Sequence, residues 1–196
     1  MVITDIKQNA NDPNRYSIFI DKKFAFALST DMLIETKLAK GDQLDTKRLD
    51  ELKQSASSDK LYASALKYTT ARLKTKWETE TYLRKKSTSP ALNSIILNKL
   101  IKLGVINDEE YVKAYIGDKQ AYRPASRLKI EYALRKKHID RDIITKVLGE
   151  VNYNERPALR ELINKKRSYY KDDKKLIAYL VRQGFNYGDI KNELDG

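Results

Sequence analysis

The sequence predicts a mainly α protein, with tandem three-helix repeats in an elongated array behind a small mixed α/β N-terminal module. Three observations predict it. A phrase closing a helix-like run returns three times: Tyr82-Leu83-Arg84-Lys85-Lys86, Ala133-Leu134-Arg135-Lys136-Lys137 and Tyr179-Leu180-Val181-Arg182-Gln183-Gly184. Its spacing of about 46 to 51 residues suits one helical supersecondary unit used three times. From Leu61 onward, apolar residues recur at three- and four-residue intervals, and before that two short extended runs flank a turn. Elongation follows from composition, because 41% hydrophobic residues bury a core while 34% charged residues leave little for a thick one.

Tyr16-Ser17-Ile18-Phe19-Ile20 and Phe24-Ala25-Phe26-Ala27-Leu28 are the extended runs, joined through the turn-prone Asp21-Lys22-Lys23. Two strands alone are marginal, so residues from Val2 to Ile6 are candidates to pair with them, or a helix must cover the hairpin. Helical periodicity follows in Met32-Leu33-Ile34 with Leu38, ending at Gly41, and a second helix starts with Asp45 as its N-cap and continues through Leu49 and Leu52. The polar stretch Gln54-Ser55-Ala56-Ser57-Ser58-Asp59 is the expected boundary of this module, assigned to residues 1–57.

Three repeats are expected beyond it, over 58–105, 106–151 and 152–196, each built from about three short helices. The first carries Leu61, Ala65, Leu66 and Leu73, a break at Thr75-Lys76, and a helix opened by Pro90 and closed at Gly104. The second opens at Asn107, with Asp108, Glu109 and Glu110 in the first turn, and runs through Leu128, Leu134, Ile144 and Leu148. Leu159, Ile163, Leu176, Leu180, Ile190 and Leu194 mark the third, with Asn154 or Pro157 setting its start.

A formal charge of +12 favours polyanionic partners through a salt-sensitive field and says nothing about fold. The absence of cysteine excludes disulfides, thiol catalysis and cysteine-ligated metals. No basic region followed by an apolar stretch opens the chain, and no segment has the length of a membrane span, so a cytoplasmic protein is expected; a monomer is expected separately. Catalysis has thin support. His138, the sole histidine, has no nucleophile or metal-ligand spacing around it, and reads as a surface or cap residue. Asp108-Glu109-Glu110 and Asp172-Asp173 imitate parts of a magnesium site but read more simply as acids in first helical turns. Glycine-rich phosphate loops are absent, so neither an enzyme nor a cofactor is expected.

The candidate partner or nucleic-acid contacts are therefore basic. They are Arg72, Lys74 and Lys76; Arg84, Lys85 and Lys86; Arg123 and Arg127; Arg135, Lys136 and Lys137; and Lys165, Lys166, Arg167, Lys171, Lys174, Lys175 and Arg182. Most such residues in any protein are solvated surface, and recurrence singles out the clusters at 84–86 and 135–137. Trp77, Tyr82, Tyr122, Tyr169 and Tyr170 are candidates for stacking on unpaired bases, the Tyr169-Tyr170 pair being least core-like. Tyr68, Tyr82, Tyr111, Tyr115, Tyr132 and Tyr179 fit apolar stripes instead.

Across essentially its whole length the chain resembles the RecX family, regulators of the bacterial recombinase RecA. The resemblance lies in Tyr16-Ser17-Ile18-Phe19-Ile20 with Phe24-Ala25-Phe26 and Lys40-Gly41, in Ala65-Leu66-Lys67-Tyr68 with Arg72, and in Glu80-Thr81-Tyr82-Leu83. It continues in the run Lys99 to Tyr111 through Gly104, and in Leu180-Val181-Arg182-Gln183-Gly184-Phe185. Two departures stand out: Lys76-Trp77-Glu78 where the family usually carries an arginine-serine pair, and His138 and Pro124-Ala125-Ser126 where it has glycines. The resemblance implies a binding protein that engages the RecA filament on single-stranded DNA and damps ATP turnover and strand exchange. It places the chain in recombination regulation, DNA repair and the SOS response. The other reading of the same residues is an autonomous nucleic-acid-binding helical module.

Overall fold

The computed structural model describes residues 1–195; Gly196, the last residue assigned to the third repeat, lies outside them. The chain is mainly helical with one small sheet, and it divides into two compact units that are described separately: Met1–Arg72 with Thr79–Val105, and Leu73–Glu78 with Ile106 onward.

In the first unit, strands β1 (Ile3–Asn9), β2 (Asp12–Ile20) and β3 (Lys23–Ser29) form an antiparallel sheet in the order β1-β2-β3. Both predicted strands are present, and the third comes from the N-terminal residues proposed to pair with them. Asp21 and Lys22 take φ of 47° and 67°, the left-handed values that a two-residue hairpin loop requires at both central positions. The Asp21 carboxylate also accepts the Val2 N–H at 3.1 Å. Helix α1 (Thr30–Thr36) follows directly, capped by Ser29.

Helix α2 (Thr46–Thr70) begins at the expected cap, where the Asp45 carboxylate accepts the Arg48 N–H at 2.7 Å. The expected boundary at 54–59 corresponds to no break in the helix: residues Gln54 to Asp59 form its middle turns, and α2 is one 25-residue helix. The polarity has a packing cause. Ala56 is buried with Leu49 and Leu52 beneath the sheet residues Ile3, Ile18, Ile20, Phe26 and Leu28. Asp59 accepts from the Ser29 N–H at 2.9 Å, from the Ser29 hydroxyl at 2.8 Å and from Arg15 Nη1 at 3.2 Å. A polar run that reads as a linker is thus the seam docking α2 onto the sheet.

Helix α3 (Lys76–Lys86) from Thr79 onward and α4 (Pro90–Lys102) complete this unit, while the first turn of α3, Lys76 to Glu78, belongs to the second. The Tyr82 ring stacks on Tyr68 of α2 at 4.2 Å, and Leu83, Ile96, Leu97 and Leu100 are buried. Ser89 caps α4 with Pro90 in its first turn, and Gly104 at φ 70° ends it.

The second unit contains α5 (Asp108–Tyr122), α6 (Arg127–Arg135) and α7 (Arg141–Glu150), then α8 (Arg156–Arg167), α9 (Asp173–Arg182) and α10 (Tyr187–Asp195). Val112 and Ile116 of α5 meet Ile130 and Leu134 of α6 and Ile144, Val147 and Leu148 of α7 in one core. Leu159 and Ile163 of α8 meet Leu176 and Leu180 of α9 and Ile190 of α10 in another. Asn107 caps α5, as its sequence position predicts. His138 takes φ 57° after α6, a left-handed position where the absent glycine would have been relaxed.

Candidate partner and nucleic-acid interface

The thrice-repeated phrase falls on the second helix of each three-helix set, at the ends of α3, α6 and α9. Its leucines, Leu83, Leu134 and Leu180, are fully buried. The cations one and two positions later, Arg84 and Lys85, Arg135 and Lys136, and Arg182 in the third copy, are exposed. Helical geometry makes this automatic: a buried leucine turns the following residues toward solvent, and the helix C-terminus favours positive charge there.

The candidate cations separate by what they already bind. Arg127 pairs with Glu131 at 3.2 Å, Lys137 with Glu78 at 2.5 Å, and Arg167 with Asp173. Arg84, Lys85, Lys86, Arg135 and Lys136 make no ion pair among the described residues. Neither do Arg72, Lys76, Arg123, Lys165, Lys171, Lys174, Lys175 and Arg182, all exposed, nor the half-buried Lys166. Lys74 departs from its expected surface position. It is 5% exposed and lies in the segment feeding α3, between the exposed Leu73 and the fully buried Thr75.

The start of α3 is built by a reciprocal cap. Thr75 Oγ1 accepts the Glu78 N–H at 3.1 Å, and Glu78 Oε2 accepts the Thr75 N–H at 3.1 Å. A third donor, the Lys76 N–H, reaches Asp108 Oδ1 at 2.8 Å. The signal Thr-x-x-Glu stands in the sequence at 75–78, where only a break was expected. Burial raises the Glu78 carboxyl, but its hydrogen bonds from Lys137 and the Thr75 N–H, with the Lys137 charge, outweigh that and leave its pKa lowered. The Glu78 hydrogen bond in turn raises Lys137. Burial raises Asp108, opposed by the Lys76 N–H.

The stacking candidates divide similarly. Trp77 lies on His138 with centroids 4.1 Å apart, and Tyr82 on Tyr68. Tyr170 stacks on Tyr179 at 5.2 Å. Tyr122 is open at 81% exposure, and Tyr169, 77% exposed, meets Tyr170 only edge-on, with centroids 4.9 Å apart. The acids considered for magnesium are engaged one by one: Asp108 with the Lys76 N–H, Glu109 with Lys146 at 2.8 Å, and Glu110 with Lys113 at 3.3 Å. Asp172 caps α9, and Asp173 holds Arg167. Among the described residues no three His, Asp or Glu side chains gather as a metal-binding group, and no helix is long and apolar enough to cross a membrane.

The chain matches the family descriptions "Regulatory protein RecX N-terminal domain" over residues 1–45 and "RecX, second three-helix domain" over 107–148. It is 31% identical to the regulatory protein RecX of Bacillus cytotoxicus, over 94% of this chain and 73% of that protein. Identity to the Bacillus subtilis protein of the same name is 28%, over 98% of this chain and 76% of the relative. A crystal structure of regulatory protein RecX superposes with a TM-score of 0.81 at 24% identity, covering 100% of this chain and 99% of the other, which establishes the shared fold. RecX from Lactobacillus salivarius superposes with a TM-score of 0.65 at 28% identity, over 72% of this chain and 96% of that one. The architecture, the matched domains and the relatives agree, and the chain belongs to the RecX family of regulatory proteins.

Proposed function

We propose that this chain binds the RecA recombinase filament on single-stranded DNA and inhibits its ATP turnover and strand exchange. The observation that carries the reading is the recurring register of a buried leucine followed by exposed, carboxylate-free cations at Leu83, Leu134 and Leu180. Repeated units of similar size can meet successive subunits or phosphates of a polymer, so weak contacts add through effective concentration. The net charge of +12 steers such a chain toward a nucleoprotein filament. The test is DNA-dependent ATP turnover by recombinase preassembled on single-stranded DNA, titrated with this chain, with naked-strand affinity measured in the same buffer. Inhibition below the concentrations that coat free DNA supports the reading.

A second reading, an autonomous nucleic-acid-binding module, is favoured by the open rings of Tyr122 and Tyr169 beside Arg123 and near Lys171. It predicts inhibition only once the DNA itself is saturated.

A further inference from the structure

A cleft of about 630 Å³ in the first unit lies between α2 and the connection from α3 to α4. Its size is within the roughly 300–1,000 Å³ of ligand-binding clefts. Four cations line it: Lys60 from the middle of α2, and Arg84, Lys85 and Lys86 from the last turn of α3. No carboxylate is part of the lining, and none of the four makes an ion pair among the described residues.

The helix C-terminus accounts for the three cations on α3 without any ligand. It does not account for Lys60, nor for four like charges left around one cleft with no counter-charge. Hydroxyls supply the rest of the polar wall. Ser87 Oγ accepts the Ser89 N–H at 3.1 Å, which leaves its own hydrogen to donate, and Thr88 lines the wall beside it. The 13-residue helix α4 starts two residues after Thr88, so its partial positive N-terminal end adds to the same field.

We infer that this cleft is a phosphate site that takes consecutive phosphodiesters of a single-stranded nucleic acid. The lining offers charge and hydroxyl donors but no aromatic ring, amide or carboxylate to read a base edge, so it recognises backbone and not sequence. Four cations exceed the charge of one phosphate and match several along a strand. The site deepens the proposed function and rests on it only for where the strand comes from.

The experiment is fluorescence anisotropy of a labelled thymidine oligonucleotide, with the full chain, no recombinase, and a series of salt concentrations. Lys60→Gln and the double variant Lys85→Gln, Lys86→Gln alter exposed side chains and should fold as wild type by circular dichroism. Lys60→Gln should weaken binding about threefold to tenfold and reduce the slope of log K against log salt by about 0.7. The double variant should lose about twice that slope, and Lys47→Gln, on another part of α2, should change neither. Pyrophosphate in calorimetry separates the sources. Lys60-dependent pyrophosphate binding with Lys60-independent oligonucleotide binding would overturn the strand assignment in favour of a free phosphate compound. Affinity and salt slope unchanged in Lys60→Gln for both ligands would overturn the site itself. Because recombinase is absent, that failure leaves filament inhibition untouched, and loss of filament inhibition leaves this site untouched.

Discussion

The Trp77 indole lies over the His138 imidazole, with ring centroids 4.1 Å apart and planes 21° apart. One stack therefore joins the first turn of α3 to the left-handed residue that ends α6, and it occupies a ring that was a candidate for stacking on bases. Removing the imidazole with His138→Ala leaves the φ of 57° to be held by a residue with no stack, at a cost of about 1 to 2 kcal/mol. Denaturant unfolding followed through Trp77, the sole tryptophan, checks this, together with a shift in its folded-state emission. Oligonucleotide addition should leave wild-type Trp77 emission nearly unchanged.

The Glu78 and Lys137 pair predicts a particular acid limb of stability. Glu78 sits below its ordinary value of 4.5, so its contribution is full above that pH and is lost as pH falls through the lower folded value. Lys137 is raised above 10.5, so its share is full below that pH and is lost only as alkali passes the raised value. Glu78→Gln should flatten the acid limb below about pH 4.5 and cost about 1 kcal/mol at neutral pH, with the half-exposed Lys137 discounting the pair for solvent screening. Thermal melts of both proteins from pH 3 to 7 would show it, and parallel acid limbs would count against it.

Ser126 and Gly184 form a close junction between the start of α6 and the end of α9. The fully buried Ser126 hydroxyl donates to the Gln183 carbonyl at 2.6 Å and accepts the Lys129 N–H at 3.3 Å. A Cβ added at Gly184 would lie 2.6 Å from Ser126 Oγ and 3.1 Å from Leu128 Cβ, at a φ of 92°. Gly184→Ala should destabilise by about 2 kcal/mol or more. Ser126→Ala, which removes the donor to the part-buried Gln183 carbonyl and uncaps α6, should cost about 1 to 2 kcal/mol. Urea midpoints at constant slope measure both.

Asp59 gives the largest expected loss in the N-terminal unit. Its carboxylate is 11% exposed and bonds both Arg15 and Ser29. Asp59→Ala leaves Arg15 enclosed without its counter-charge, a change that costs about 3 to 5 kcal/mol when such a pair is buried. The double variant Arg15→Met, Asp59→Leu should recover part of the loss in the same urea titration.

Much of this architecture was legible because short-range physics decided it. The hairpin through Asp21-Lys22, the Asp45 and Asn107 caps, the glycine stop at Gly104 and the buried leucines at 83, 134 and 180 each follow from local pattern. The polar run at 54–59 misled because Asp59 owes its place to residues far along the chain, Arg15 and Ser29, which no local window contains. Lys74 misled for the same reason, a lysine being an exposed residue by default. Lys60 stands far from residues 84–86 in the sequence, and only folding brings it beside them. The pairing of Lys137 with Glu78 and of Arg167 with Asp173 is equally absent from any local pattern, since only folding sets a carboxylate beside one cation and not another.

The most direct measurement of the central claim is DNA-dependent ATP turnover by preassembled recombinase, titrated in parallel with the wild-type chain and with the variant Arg84→Gln, Lys85→Gln, Arg135→Gln, Lys136→Gln. These four cations are exposed and make no ion pair among the described residues, so the variant should retain its fold. The account predicts that it needs at least about tenfold more protein for half-inhibition, with a shallower salt dependence. Equal inhibition by variant and wild type at every salt concentration would contradict it.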